Sequence, residues 1–249
     1  MLVDMFTNPS QNRLQAKAPS AGYHLSVVGE PVPGDETLLT PEALDLIRAV
    51  HRKFGRQRLA LLDAHFRRRT ATDVHHDHPT TPGAPGLERR VVGLTGALHE
   101  TSSVDALDPT ADVWIADFAH LTSPTWTNTI KSHLQLRSAI AGHAPGTRAD
   151  GGPTVALRPR CLPLLEHHIR VDCEPVPAGF VDVALHCFHN AVALLRTGRG
   201  PHFYLPQLGS QSEARLWNDV FDFTERALGL PSDAIRVTVL IDKSAPCRI

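Results

Sequence analysis

Cysteine is sparse in this sequence, and the four present, Cys161, Cys173, Cys187 and Cys247, form no C-x-x-C pair. That spacing excludes the usual zinc and redox signatures, and isolated thiols of this kind read as structural. Long apolar runs are missing as well. None approaches the roughly 18 to 20 residues that a bilayer span needs, and the opening MLVDMFTNPSQNRLQ has no apolar leader core. A cytoplasmic chain with no membrane anchor is the expectation. Nor is there an excess of one charge: the net charge of -1 excludes a phosphate-neutralising surface, so no nucleic acid is expected as a partner. Finally, there is no G-x-G-x-x-G after a strand, no P-loop, no H-E-x-x-H and no Ser-His-Asp order. Small or acidic metabolites remain as ligands.

What is present is enough apolar residue, 42% of the chain, to bury one sizeable core. Residues 1–22 are polar and aperiodic and read as a flexible arm. Residues 23–88 read as a helical region. Thr40 caps a helix with Pro41 at its first position and Glu42 in its first turn, followed by Leu44, Leu46, Ile47, Val50 and Phe54. Gly55 is expected to interrupt it, and a basic helix follows through Leu59, Leu61, Leu62 and Phe66. The stretch from Asp73 to Gly86 is rich in turn residues.

From residue 89 to 242 short apolar strands alternate with amphipathic helices. Strands are expected at Arg89–Leu94, Val113–Phe118, Thr154–Arg158, His202–Leu205 and Arg236–Ile241. Helices are expected near Thr125–Ala141, Phe180–Leu195 and Glu213–Leu228. Such alternation predicts an α/β fold with a parallel sheet, either doubly wound or a (β/α)8 barrel, and the missing dinucleotide motif favours the barrel. Asp117, Arg158, Gln207 and Asp242 stand at strand ends, which in a barrel converge on the catalytic face. Strand ends are also polar simply because they reach solvent.

Histidine supplies the other constellations. His75, His76 and His78 with Asp77 could ligate a metal but lie in a proline-rich stretch, and the adjacent His167 and His168 point apart. His186 and His189 share a helix face, where packing or a satisfied hydrogen bond is expected. Trp126 and Trp217 are expected in the core or in helix packing.

Several segments, in order, resemble malate synthases of the shorter, A-type form. They are LTPEALDLIRAVHRKF at 39–54, ADFAHLTSPTWTN at 116–128, LRPR at 157–160, FHNAVALL at 188–195 and HFYLPQLGSQSEARLWNDVF at 202–221. The resemblance extends over roughly residues 23–242. It implies a TIM barrel, of which about the first four strand-helix units lie at 89–242, with a divergent tail at 243–249. It also implies condensation of acetyl-CoA with glyoxylate to malate in the glyoxylate bypass, with Mg2+ as cofactor. Arg158 matches the family's catalytic arginine, between glyoxylate and the enolate oxygen, and Asp117 is expected in substrate binding. Asp242, in Val239-Leu240-Ile241-Asp242-Lys243, falls on a metal-ligand glutamate and is one methylene shorter.

The departures fall at the chemistry. Two acidic residues of the family pattern are replaced by Ala119 and His120, and a lysine, a glutamate and a histidine by Gln207, Gly209 and Gln211. After LRPR the family has glycine, tryptophan and histidine where Cys161, Leu162 and Pro163 stand, so that loop is expected to differ in shape. The family's later G-L-N-x-G-R-W-D-Y segment, with the second metal carboxylate, and its catalytic aspartate have no counterpart here. The chain is therefore expected to be a truncated, weakly active or inactive form. Alternatively, it is a non-catalytic half-barrel that pairs with a separately encoded second half, or with itself, through open sheet edges.

Overall fold

The computed structural model describes residues 24–68, 93–96, 112–142, 153–205, 208 and 210–240. The arm at 1–22, the tail at 243–249, the histidines at 75, 76 and 78, and the positions Gln207 and Asp242 lie outside the described residues. Five parallel strands form the main sheet: β2 (Gly93–Gly96), β3 (Val113–Asp117), β4 (Thr154–Arg158), β7 (His202–Leu205) and β8 (Arg236–Val239), in the order β2-β3-β4-β7-β8. Helices α3 (Trp126–Gly142) and α5 (Gln211–Leu228) are crossovers between neighbouring strands. The connection from β4 to β7 is longer. It carries an antiparallel hairpin, β5 (Leu165–Val171) and β6 (Glu174–Pro177), before α4 (Ala178–Arg196).

That hairpin was not anticipated. It joins β1 (Leu25–Val27) in a second sheet of order β1-β5-β6, so a strand opens the region expected to be helical. In β5 alternation is present only in the second half, where Ile169 and Val171 are buried and Arg170 is exposed; its phase changes at the irregularity between Glu166 and Arg170, so that Glu166 is buried and His167 exposed. After β1 come the short α1 (Asp35–Leu38) and α2 (Pro41–Arg68). Gly55 does not interrupt α2, which runs unbroken for 28 residues. An interior glycine costs a helix only about 1 kcal/mol, and here Leu46, Ile47, Val50 and Phe54, on the turns before it, are buried in the core.

Strand alternation divides the main sheet into two faces. Trp114, Ala116, Leu157, Phe203 and Leu205 pack into the large core with the helices, whereas Val113, Ile115 and Ala156 cluster with Tyr204 on the opposite face, which in a closed barrel is the interior. Aromatic stacking ties α5 to β7, with Phe203 and Phe221 ring centroids 5.0 Å apart and Trp217 and Phe221 5.7 Å apart. Trp126 and Trp217 are both buried, as expected, and Trp126 Nε1 donates to the Glu30 carbonyl at 2.8 Å. Among the described residues α4 is one helix long and apolar enough to cross a bilayer, contrary to the count of apolar runs. Its apolarity is accounted for by the core, since Phe180, Val181, Val183, Ala184 and Leu185 are all buried.

Candidate functional site

Asp117 ends β3 and Arg158 ends β4, and the sheet register pairs the two residues directly. Their side chains stand on the face occupied by Tyr204. Arg158 Nη1 donates to Asp117 Oδ2 at 2.8 Å, and the guanidinium lies over the Tyr204 ring, 4.8 Å from its centroid. The β4–β7 register, Ala156 to His202 and Leu157 to Phe203, leads one step further on to Tyr204 beside Arg158. Tyr204 was therefore missed only because the strand order is not written in the sequence.

The loop after β3 wraps Asp117 tightly. Oδ1 accepts from the backbone N–H groups of Ala119 and His120, both at 2.9 Å, while Thr122 Oγ1 donates to the Asp117 carbonyl at 3.0 Å. The side chain of Asp117 is 1% exposed and that of Arg158 15%. The carboxylate is thus fully engaged, and it orients the arginine rather than facing solvent as a free base. The guanidinium keeps unused capacity: its Nε–H is enclosed and meets no acceptor. A partly accessible cation with unspent donors, at the C-terminal end of barrel strands, can hold an anion or stabilise a developing oxyanion.

A second polar cluster fixes the chain immediately beyond Arg158. Arg160 is buried, and Asp182 of α4 accepts from its backbone N–H at 2.8 Å and from Nη2 at 2.7 Å. Glu166 of β5 accepts from Arg160 Nη1 at 2.7 Å and also contacts His168 Nδ1 at 2.8 Å. Burial by itself pushes the Asp182 carboxyl up, but the Arg160 charge and hydrogen bonds from His133 and Arg160 outweigh it and hold the group down at about 2. Arg58 of α2 completes the support, donating to the carbonyls of Leu162 and Pro163 at 2.6 and 2.9 Å. No motif advertised this network. Its signal was a carboxylate, Asp182, inside an otherwise apolar helix.

The two histidines that share a face of α4 have structural partners. His189 Nε2 donates to the Leu38 carbonyl at 2.8 Å, and His186 Nδ1 accepts from Asn190 Nδ2 at 3.1 Å, which leaves the proton on its enclosed Nε2. Burial, reinforced by nearby His133, lowers His186 to about 3. His167 is exposed on β5 while His168 stacks on Trp126 at 5.1 Å, so the two do point apart. Cys161, Cys173 and Cys187 are free thiols, and burial pushes that of Cys187 up.

A divalent cation does not fit the described residues. Asp117 has no free oxygen to offer, Arg158 stands at its Oδ2, and no three His, Cys, Asp or Glu side chains converge on a common point among the described residues. Asp242, the expected ligand, lies outside them.

Comparison with known proteins identifies the sequence pattern. The family model described as "Malate synthase, TIM barrel domain" matches residues 154–246. A malate synthase of Myxococcus xanthus is 37% identical over 91% of this chain and 46% of its own length. One from Streptomyces clavuligerus is 38% identical over 92% of this chain and 47% of its own. Malate synthase A of Escherichia coli is 32% identical over 84% of this chain and 43% of its own. The chain thus spans about half the length of the curated relatives it matches.

Proposed function

Because the chain belongs to the malate synthase family, we propose that its Asp117–Arg158–Tyr204 cluster is the substrate-anion part of a malate synthase site. There Arg158 meets glyoxylate and the enolate oxygen formed from acetyl-CoA. The observation that supports this most is the Arg158 guanidinium, locked by Asp117 at 2.8 Å and seated over Tyr204 with an unspent Nε–H. A guanidinium held in place in this way needs little reorientation as negative charge develops on an oxygen at its accessible part, and oriented donors are worth about 10^2 to 10^3 in rate. The chain's own contribution is therefore to bind and orient the oxo acid and to stabilise the oxyanion. Asp117, with both oxygens engaged, positions the arginine.

Mg2+ enters this reading only through the family resemblance, as the group that polarises the aldehyde, with Asp242 as its proposed ligand. No step is assigned to it, since the described residues offer it no site. The family's catalytic base matches nothing in residues 1–249, and a general base is typically worth about 10^2 to 10^4 in rate. For the 249-residue chain by itself the reading is a weakly active or inactive form. The proposed setting is the cytoplasm.

A second reading, a half-barrel that pairs with another half or with itself, is favoured by β8. Among the described residues it ends the order of the main sheet, and Val237 and Val239 are 38% and 39% exposed on the side where an inner strand would carry a helix. Both readings are tested by thiol release from acetyl-CoA in the presence of glyoxylate and Mg2+, on purified chain whose mass is known from sedimentation. A monomer that releases thiol no faster than the blank is expected. Release by the chain alone that Arg158→Ala abolishes would overturn the inactive form, and a stable dimer would carry the second reading.

A further inference from the structure

Resting on the reading that Arg158 meets the substrate anion, we propose that Asp182, with Gly179 one turn before it on α4, is a positioning residue that sets Arg158 from the helix side of the sheet. The backbone of Arg158 is tied at its carbonyl, which accepts from the Phe118 N–H at 3.0 Å. The next fixed point lies two residues on, where Asp182 Oδ2 accepts from the Arg160 N–H at 2.8 Å. Between them stands Pro159, and a proline ring locks its own φ near about −65° and confines the residue before it, here Arg158, to extended conformations. A segment this stiff has few torsions in which to absorb a movement of Arg160, so a displacement there is passed back to Arg158.

Asp182 also accepts from Arg160 Nε at 3.0 Å and from Nη2 at 2.7 Å, so one buried carboxylate holds both the main chain and the side chain of that residue. Burying a charge in an apolar helix is costly even when it is paired. Apolar packing would seat α4 on the sheet without that cost, but packing is non-directional and does not fix a backbone N–H. Gly179 permits the close approach that the carboxylate needs. A Cβ there would stand 2.5 Å from the Arg160 carbonyl oxygen and 3.0 Å from the Trp217 ring. On the other side of the turn Arg58 holds the carbonyls of Leu162 and Pro163, which keeps the chain from swinging outward to relieve a shift.

The test is Asp182→Asn in the full 249-residue chain, read at the nitrogen-15 resonance of the Arg158 Nε–H, an enclosed group. Asparagine keeps the size but has one acceptor oxygen, where Asp182 uses Oδ2 for the backbone N–H and Oδ1 for Nη2. Glu166 still pairs with Arg160 Nη1 at 2.7 Å, so the buried cation keeps a counter-charge and the variant folds. The signal is expected to shift and its hydrogen to exchange with solvent at least about tenfold faster, as for a group released from a closed site. Gly179→Ala, which alters no charge, is expected to move the same signal. Leu194→Ala, a core truncation at the other end of α4, is expected to lower the thermal midpoint and leave the signal in place. An unmoved signal in either of the first two variants, folded by circular dichroism, overturns the proposal, as does an equal response to Leu194→Ala. Glyoxylate added to the parent chain separates this from the reading beneath it. If Asp182→Asn moves the signal and glyoxylate does not, the substrate is wrong and the positioning role stands; if only glyoxylate moves it, the positioning role is wrong.

Discussion

His186 shows how one buried side chain can dominate acid stability. It is enclosed in α4, its rim touches Phe203 at a centroid distance of 5.4 Å, and burial, with His133 second, holds it neutral down to about pH 3. His51, His133, His189 and His202 are lowered as well, burial being the largest cause each time. The native pKa of His186 lies below the unfolded value of 6.5, so its contribution is fully present above that value. As pH falls from 6.5 towards 3, the unfolded chain binds a proton that the native chain refuses, and stability declines. Between about pH 7.5 and about pH 5.5 this one residue accounts for about 1 kcal/mol. Denaturant unfolding across that range should show His186→Gln with a shallower pH slope than the parent; an unchanged slope contradicts the assignment. The sequence placed His186 and His189 on one helix face and favoured packing over metal binding, which the Asn190 and Leu38 contacts match. It did not disclose Asp182, because a carboxylate in an apolar helix can be located against its arginine only once the hairpin between β4 and α4 is known.

At the scale of elements, local chemistry was legible wherever it was self-contained. Thr40 accepts from the Ala43 N–H, as the T-P-E start implies; Ser210, which the sequence reading passed over, accepts from the Glu213 N–H, and Gly229 closes α5 with φ of 64°. Legibility failed where tertiary packing overrode propensity. Gly55 lies within a continuous α2, and a Cβ there would meet His51 ring atoms at 3.5 to 3.7 Å, an ordinary contact distance. Gly55→Ala is therefore expected to stabilise the chain by about 0.5 to 1 kcal/mol through loss of unfolded-state freedom, checked by thermal or urea unfolding. A destabilised variant would mean that the helix bends or packs more closely there. The β5–β6 hairpin failed for the other reason. Asp172 and Cys173 turn it with φ of 53° and 68°, a conformation that glycine or asparagine ordinarily announces.

For the whole molecule, alternation of strands and helices predicted a parallel sheet with crossovers, and among the described residues the five parallel strands fall at or beside the five expected segments. The first is described at Gly93–Gly96 where Arg89–Leu94 was expected, and it pairs with β3 from Gly93 to Val113 through Gly96 to Ala116. Asp117 and Arg158 meet because β3 and β4 are adjacent, parallel and in register, a juxtaposition that neither segment encodes alone. Everything functional in the account depends on that meeting point being where a small oxo acid contacts the chain. The most direct measurement is the nitrogen-15 resonance of the Arg158 Nε–H, assigned by its absence in Arg158→Lys and followed as glyoxylate is added. The account predicts a saturable shift of this signal, with the indole N–H of the buried Trp114 unmoved. A signal that stays in place while glyoxylate shifts resonances elsewhere would contradict the assignment of Arg158 as the anion-binding residue.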